Sequence, residues 1–454
     1  MDLCPINLGR TSLKIAKTFT IANPRFLTQK RPWRLPAFWN RQFSASHLRS
    51  VAHEIDEPIE EELFPSHRLR CFRPTHPGEI LNGKFKTISK LGFGGGSTVW
   101  LAENLKFIQK IIADAKRPHD GLDFIRTPID EFHLEGPEGT HLCLVYVPMR
   151  ETLFRLQKRF ERERIAPPLF KFYTYCLLHA LDYLHTECHL IHTDIKDENI
   201  MVTLENDTLL TEYVNYQTSV PQSRHIRSED GRVTYLSQAE FGPLQGKRLL
   251  PELADFNLCF PGLDNGHGHL SSIQSHRFRA PEVLLGCPWS YSADIWNFGL
   301  LMWNLLESIS LFGRPAGEDG EYDAHVHLAQ MVSLLGDPPE EVIQRERISR
   351  THHLERPVMN LRGKECKTMN EYWGGPFFDD DGQILRKDLL TERIKLADMV
   401  TEMAGDEKEM FLDFASCMLQ WLPEKRKTAK ELLEHPLLEE LHKSHQEYSR
   451  SIES

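Results

Sequence analysis

Apolar and polar positions change period once along this chain. Residues 84–90 (KFKTISK) alternate, and residues 91–102 (LGFGGGSTVWLA) place glycines between two β-prone runs, which predicts a hairpin with a glycine-rich turn. Two further runs, 123–132 (DFIRTPIDEF) and 141–147 (HLCLVYV), read as strands. After Pro148 the spacing becomes helical: 169–185 (LFKFYTYCLLHALDYLH), 294–307, 411–419 (FLDFASCML) and 429–433 all carry apolar residues at helical intervals. Residues 202–250 are polar and weakly periodic, so they read as an inserted spacer with a short strand at 233–236 (VTYL). No internal repeat is visible. The pattern predicts a small β-rich front over 75–148, a larger mainly helical rear over 149–440, and a tail at 441–454.

Composition narrows this picture. The chain has 454 residues, 40% apolar and 26% charged, which excludes a wholly disordered chain, a collagen-like fibre and a coiled-coil rod. The most apolar stretch, 298–306 (FGLLMWNLL), is far shorter than the ~20 residues that span a bilayer, so no membrane span is expected. Nine scattered cysteines without a C-x-x-C pair argue for reduced intracellular thiols rather than disulfides or structural zinc. Charge is uneven. Residues 1–50 hold nine Lys/Arg and one acid, leaving 45 bases against 64 acids in the rest, a net −19. That body repels phosphate backbones, so direct nucleic-acid binding is not expected and basic partners are. The first fifty residues, basic and nearly free of acids, fit either a mitochondrial transit segment, with 41–44 (RQFS) like a cleavage site, or a disordered basic tail. Residues 51–74, acidic at 54–64 (EIDEPIEEELF), read as a linker.

Four groups of residues carry candidate chemistry. Gly92, Gly94, Gly95 and Gly96 lack a Cβ and let backbone approach a phosphate, although such turns also occur in plain hairpins. No G-K-[ST] follows, so this is not a Walker loop. Residues 190–201 (LIHTDIKDENIM) follow the long helix and offer a carboxylate at Asp194, an ammonium at Lys196 and an amide at Asn199. In one tight loop these could orient an alcohol, neutralise a phosphoryl group and ligate Mg2+. Residues 253–258 (LADFNL) set Asp255 between apolar neighbours, a hard oxygen donor for a divalent cation or else an ordinary strand-end acid. Finally, 278–282 (FRAPE) precedes 292–299 (SADIWNFG). A buried Glu282 would need a cation, for which Arg426 in 422–429 (LPEKRKTA) is the candidate.

In that order the motifs G-x-G-x-x-S-x-V, H-x-D-x-K-x-x-N, D-F-x, A-P-E and D-x-W-x-x-G resemble the eukaryotic protein kinase superfamily over about residues 75–440. Ser97 in place of a third glycine, Thr193 where most kinases have arginine, the spacer before Asp255, and 273–279 (IQSHRFR) are most similar to the serine/arginine-protein kinases. The resemblance implies an α+β, bilobal kinase-like fold and an ATP-dependent serine/threonine kinase using Mg2+. It implies Asp194 as catalytic base, Lys196 at the γ-phosphate, and Asn199 and Asp255 on the metal. ATP would be held by Leu91, Gly92, Gly94, Gly95, Gly96, Ser97 and Val99 and by hinge backbone from Val147 to Met149, with Tyr146 behind it. Glu282, Asp294 and Arg426 would be structural. With Thr193 there, a switch by activation-loop phosphorylation is less expected. The resemblance also implies a monomer acting on basic, Arg/Ser-rich proteins in cytoplasm or nucleus, which a mitochondrial leader would contradict.

One part of the kinase pattern is not found. Kinases hold a strand lysine against a glutamate of the following helix, and no V-A-x-K stands after Ala102. The single periodic run there, 105–115 (LKFIQKIIADA), is either that strand, with Lys110 as the phosphate lysine, or the last turns of the helix, with the strand and much of the helix missing. Lys106 or Lys110 could substitute, the gene product could lack a segment, or the chain could be an impaired pseudokinase that serves as a binding module.

Overall fold

The computed structural model describes residues 54–70, 72–94, 97–104, 119–136, 139–245, 249–263 and 268–453, plus the backbone of 14–15. Lys106 and Lys110, and with them the run 105–115, lie outside the described residues, as do Gly95, Gly96 and nearly all of 1–50.

The glycine hairpin forms where the alternation places it, β1 over Phe85–Gly94 and β2 over Ser97–Asn104, paired antiparallel from Phe85↔Asn104 to Gly94↔Ser97. A short strand, Ile80–Leu81, extends the sheet on the far side of β1. The second hairpin departs from expectation. The run 123–132 is not one strand: Asp120–Phe124 is a 3-10 turn and the strand, β3, spans Asp130–Gly136. Pro128 lies between them, lacking the donor a ladder needs. β3 pairs with β4, Gly139–Val145, whose edge also meets the backbone of Lys14–Ile15. Among the described residues no ladder joins the two hairpins. They meet through side chains instead: Phe85 stacks on Phe132 at 5.4 Å, within a core of Leu81, Ala102, Cys143 and Val145.

Two segments that read as spacer and linker are built into the small lobe. The insert contains a helix, α2 over Asp207–Ser219, capped by Asn206 Oδ1 accepting from Leu209 N at 2.9 Å. Its Leu209, Leu210 and Tyr213 pack with Phe241 against Leu101 of β2. The short strand is present, Val233–Tyr235, paired with Arg224–Ile226. The acidic segment folds into a 3-10 turn, Glu60–Leu63, packed on β1. Consecutive residues of a strand face opposite sides. Ser89 and Lys90 are both fully buried, because Ser89 Oγ meets Tyr213 Oη at 3.2 Å while Lys90 Nζ meets Glu60 Oε2 at 2.6 Å and also Glu61. β1 is therefore covered on both faces just before the glycine turn.

The large lobe is built on α1, Pro167–Thr186, and α2's successor α3, Ser292–Glu307. Pro167 and Pro168 open α1, where a missing N–H costs nothing. Fourteen of its 20 residues are buried, which marks a central helix rather than an amphipathic surface one. Trp296, Phe298 and Trp303 of α3 are fully buried, and Trp303 packs on Phe411 of α4, Gly405–Ser416, ring centroids 5.0 Å apart. Between the lobes β5, Met149–Thr152, pairs with β6, Ile200–Thr203, which in turn pairs with β7, Pro251–Leu253. No helix among the described residues is long and apolar enough to cross a membrane.

Candidate active site

The site is assembled on the loop that connects α1 to β6 and on the end of β7. Leu190–Ile191 pairs with Phe260–Pro261 and Ile200–Thr203 with β7, so the loop between them is pinned at both ends. Within it Lys196 Nζ contacts Asp194 Oδ2 at 2.6 Å, and Asn199 Nδ2 donates to both Asp194 O and Asp194 Oδ2 at 2.8 Å. The acid, amine and amide read from the sequence thus converge, each partly or fully buried.

Asp294 on α3 fixes this loop from beneath. Its Oδ2 accepts from His192 N at 2.7 Å and its Oδ1 from Thr193 N at 2.8 Å, and His185 Nε2 lies 3.0 Å from Oδ2. Thr193, with a left-handed φ of 68°, has its own amide held by this buried acceptor, while the next amide, Asp194 N, donates to His192 Nδ1 at 3.3 Å. Its hydroxyl donates to Leu258 O at 2.8 Å, so the residue in the arginine position ties the loop directly to the segment after Asp255. His192 Nε2 lies 2.9 Å from Ala254 O, which tightens the same junction.

Asp255 follows β7 with φ 65° and ψ 62° and is exposed, its Oδ1 accepting from Asn257 Nδ2 at 2.5 Å. Ala254 N donates to Asn199 O at 2.9 Å, so the backbone sets Asn199 and Asp255 side by side. Asp197, beside Lys196, is buried. Burial, then the adjacent Glu198, pushes its carboxyl up to about 7.

Of the glycine loop, Gly92 and Gly94 are described. A Cβ at Gly92 would meet no atom of the chain within 4 Å, so packing within the protein does not require glycine there. Leu91 and Ser97 are half-buried, and Val99 lies opposite Gly92 in the hairpin register. Val147 sits in the link from β4 to β5, and Met149, buried, opens β5. Glu282 and Arg426 pair as a two-pronged ion pair, both contacts 2.7 Å, with Arg426 also donating to Ser292 O and lying 5.1 Å from the Trp296 ring centroid. Asp294 and Glu282 are both buried, Asp294 under the loop and Glu282 against Arg426.

Several site neighbours are not among the candidate residues of the sequence, Gln274 within the run 273–279 included. Gln274, with φ 67°, donates to Ala293 O and Asn297 Oδ1 and accepts from Ala280 N, fixing the segment before the A-P-E motif. Arg150, fully buried at the start of β5, forks onto Glu205 at 2.7 Å and contacts Glu151. Only their burial distinguishes these polar residues, and burial is not written in local sequence.

A two-lobed fold with this convergent loop is that of a protein kinase domain. A family model for the protein kinase domain matches residues 125–237 and 244–438. A serine/threonine protein kinase of Aspergillus fumigatus is 32% identical over 404 residues, covering 84% of this chain and 91% of its own. The serine/threonine-protein kinase SRPK of Physarum polycephalum is 27% identical, covering 84% and 91%, and SRSF protein kinase 3 of Homo sapiens is 23% identical, covering 81% and 88%. A crystal structure of a kinase domain superposes with TM-score 0.54 at 21% identity, over 80% of this chain and 98% of that one, which speaks for the fold alone. The chain belongs to the protein kinase family, as a serine/threonine protein kinase similar to the serine/arginine-protein kinases.

Proposed function

We propose that this chain transfers the γ-phosphate of Mg-ATP to serine in basic, Arg/Ser-rich proteins. The carrying observation is the convergence of Lys196 Nζ and Asn199 Nδ2 on Asp194 Oδ2, at 2.6 and 2.8 Å, beside the Asp255 strand end. The donor chemistry suits a magnesium nucleotide: an exposed carboxylate at Asp255 and an amide at Asn199 whose nitrogen is engaged with Asp194, leaving the oxygen as its ligating atom. Bound there, the magnesium nucleotide supplies the phosphoryl group and charge neutralisation. Asp194 orients the substrate hydroxyl and accepts its proton, and Lys196 faces the transferred group. Leu91, Gly92, Gly94, Ser97 and Val99 would cover the phosphates, and backbone of Val147 and Met149 would hold the adenine. The names of the SRPK and SRSF kinase relatives support an Arg/Ser-rich substrate, and the −19 body outside residues 1–50 favours a basic one. Such substrates place the chain in cytoplasm or nucleus.

The test is radiolabel transfer from Mg-ATP to an Arg-Ser repeat peptide by the full chain. Asp194→Asn should abolish transfer while the melting temperature holds. Full activity in that variant, or no transfer by the unaltered chain, would overturn the assignment.

A further inference from the structure

We infer that Arg126 is a positioning residue for the nucleotide site, tying the hinge-side Tyr146 to the strand end that presents Asp255. The inference rests on the Mg-ATP reading above and adds to it a residue outside every motif quoted from the sequence.

The backbone delivers Arg126 to this place. The 3-10 turn Asp120–Phe124 lies directly on α1. A Cβ on Gly121 would stand 1.9 Å from His179 O, so only glycine allows this approach. The chain then runs along β7. Ile125 bridges Leu253 in parallel and Arg126 N donates to Leu253 O at 2.8 Å, two residues before Asp255. The side chain turns the other way, with its guanidinium carbon 4.7 Å from the centroid of the Tyr146 ring and its Nε sealed from solvent. Tyr146 leads into the link that carries Val147 to Met149. One residue therefore joins the hinge side to the β7 end, by a backbone bond on one side and a cation–π contact on the other.

Electrostatics agree with that placement. Burial pushes the guanidinium's pKa down, while Tyr146, Glu252 and Asp255 push it back up. The Tyr146 hydroxyl is held above its ordinary range by burial, against the pull of Arg126 and with the help of Asp255. Glu252 and Asp255 are two acids three residues apart at one strand end, Glu252 buried. A fixed cation between them and the hinge opposes their mutual repulsion and holds the strand end in place. A residue acting behind a metal ligand in this way governs metal and nucleotide affinity more than the chemical step.

The experiment compares Arg126→Met and Arg126→Lys in the full chain. Arg126→Met should raise the half-saturating Mg2+ concentration and the KM for ATP about tenfold, with the KM for peptide unchanged. Arg126→Lys keeps a cation over the ring face and should stay within about threefold. Binding of Mg-ADP by calorimetry, on the Asp194→Asn background, gives the same comparison independently of turnover. Unchanged Mg2+ and nucleotide affinity in Arg126→Met, with only a lower melting temperature, would overturn the inference. If the unaltered chain binds no Mg-ADP, the Mg-ATP reading itself falls.

Discussion

Lys90→Met tests how the small lobe is held together. Lys90 is fully buried on β1, one residue before Leu91, with Nζ 2.6 Å from Glu60 Oε2 and in contact with Glu61. Its backbone is clasped by Gln222, whose Oε1 accepts from Lys90 N at 2.9 Å and whose Nε2 donates to Lys90 O at 2.8 Å. Methionine preserves most of the apolar stem, so the change removes charge more than volume. Removing one partner of a buried ion pair costs about 3–5 kcal/mol, because the other charge stays buried without it. Glu60 keeps Ser237, which donates from Oγ at 2.9 Å, so Glu61 bears most of the loss. At roughly 2–4 °C per kcal/mol for a domain of about 150–250 residues, the small-lobe transition should fall by roughly 6–20 °C. Hydrogen exchange should report where the loss falls: faster in 54–64 and 85–94, unchanged in α1. Adding Glu61→Gln should recover most of the stability, since a neutral amide tolerates burial better than an orphaned carboxylate. A loss below about 1 kcal/mol, or one that Glu61→Gln does not lessen, would refute the view that this triad locks the acidic segment onto the glycine hairpin.

Two further outcomes concern the large lobe. Arg426→Leu should cost about 3–5 kcal/mol in urea unfolding, and Glu282→Gln in the same chain should return much of it, since the penalty lies in the unpaired Glu282. His179 is pushed down to about 3, first by burial and then by His445, His119 and His442. The unfolded chain takes up that proton below 6.5 and the folded one does not, so this stability is complete above 6.5 and lost as the pH falls toward about 3. The expected slope is about 1.4 kcal/mol per pH unit in that window, measured by urea melts from pH 7 to 5. His179→Phe, which cannot take the proton, should flatten it.

What was legible from sequence alone follows from spacing. Asp194, Lys196 and Asn199 lie within six residues, so a tight loop could hardly keep them apart, and the apolar period of α1 and α3 was strong enough to place both helices. Arg426 is the candidate partner of Glu282 only if that carboxylate is buried, a condition the sequence leaves open and the fold decides. Tertiary structure decided the rest. The run 123–132 has enough β-prone residues for one strand, yet Gly121's fit against α1 and Pro128's missing donor divide it into a turn and a later strand. Residues 54–64 and 202–245 are too polar to announce a core, and they fold onto the small lobe because β1 needs cover on both faces and Lys90 needs carboxylates. Arg126 carries no motif at all. Its place at the site comes from where the backbone beside β7 leaves its side chain, a long-range fact that no local pattern encodes.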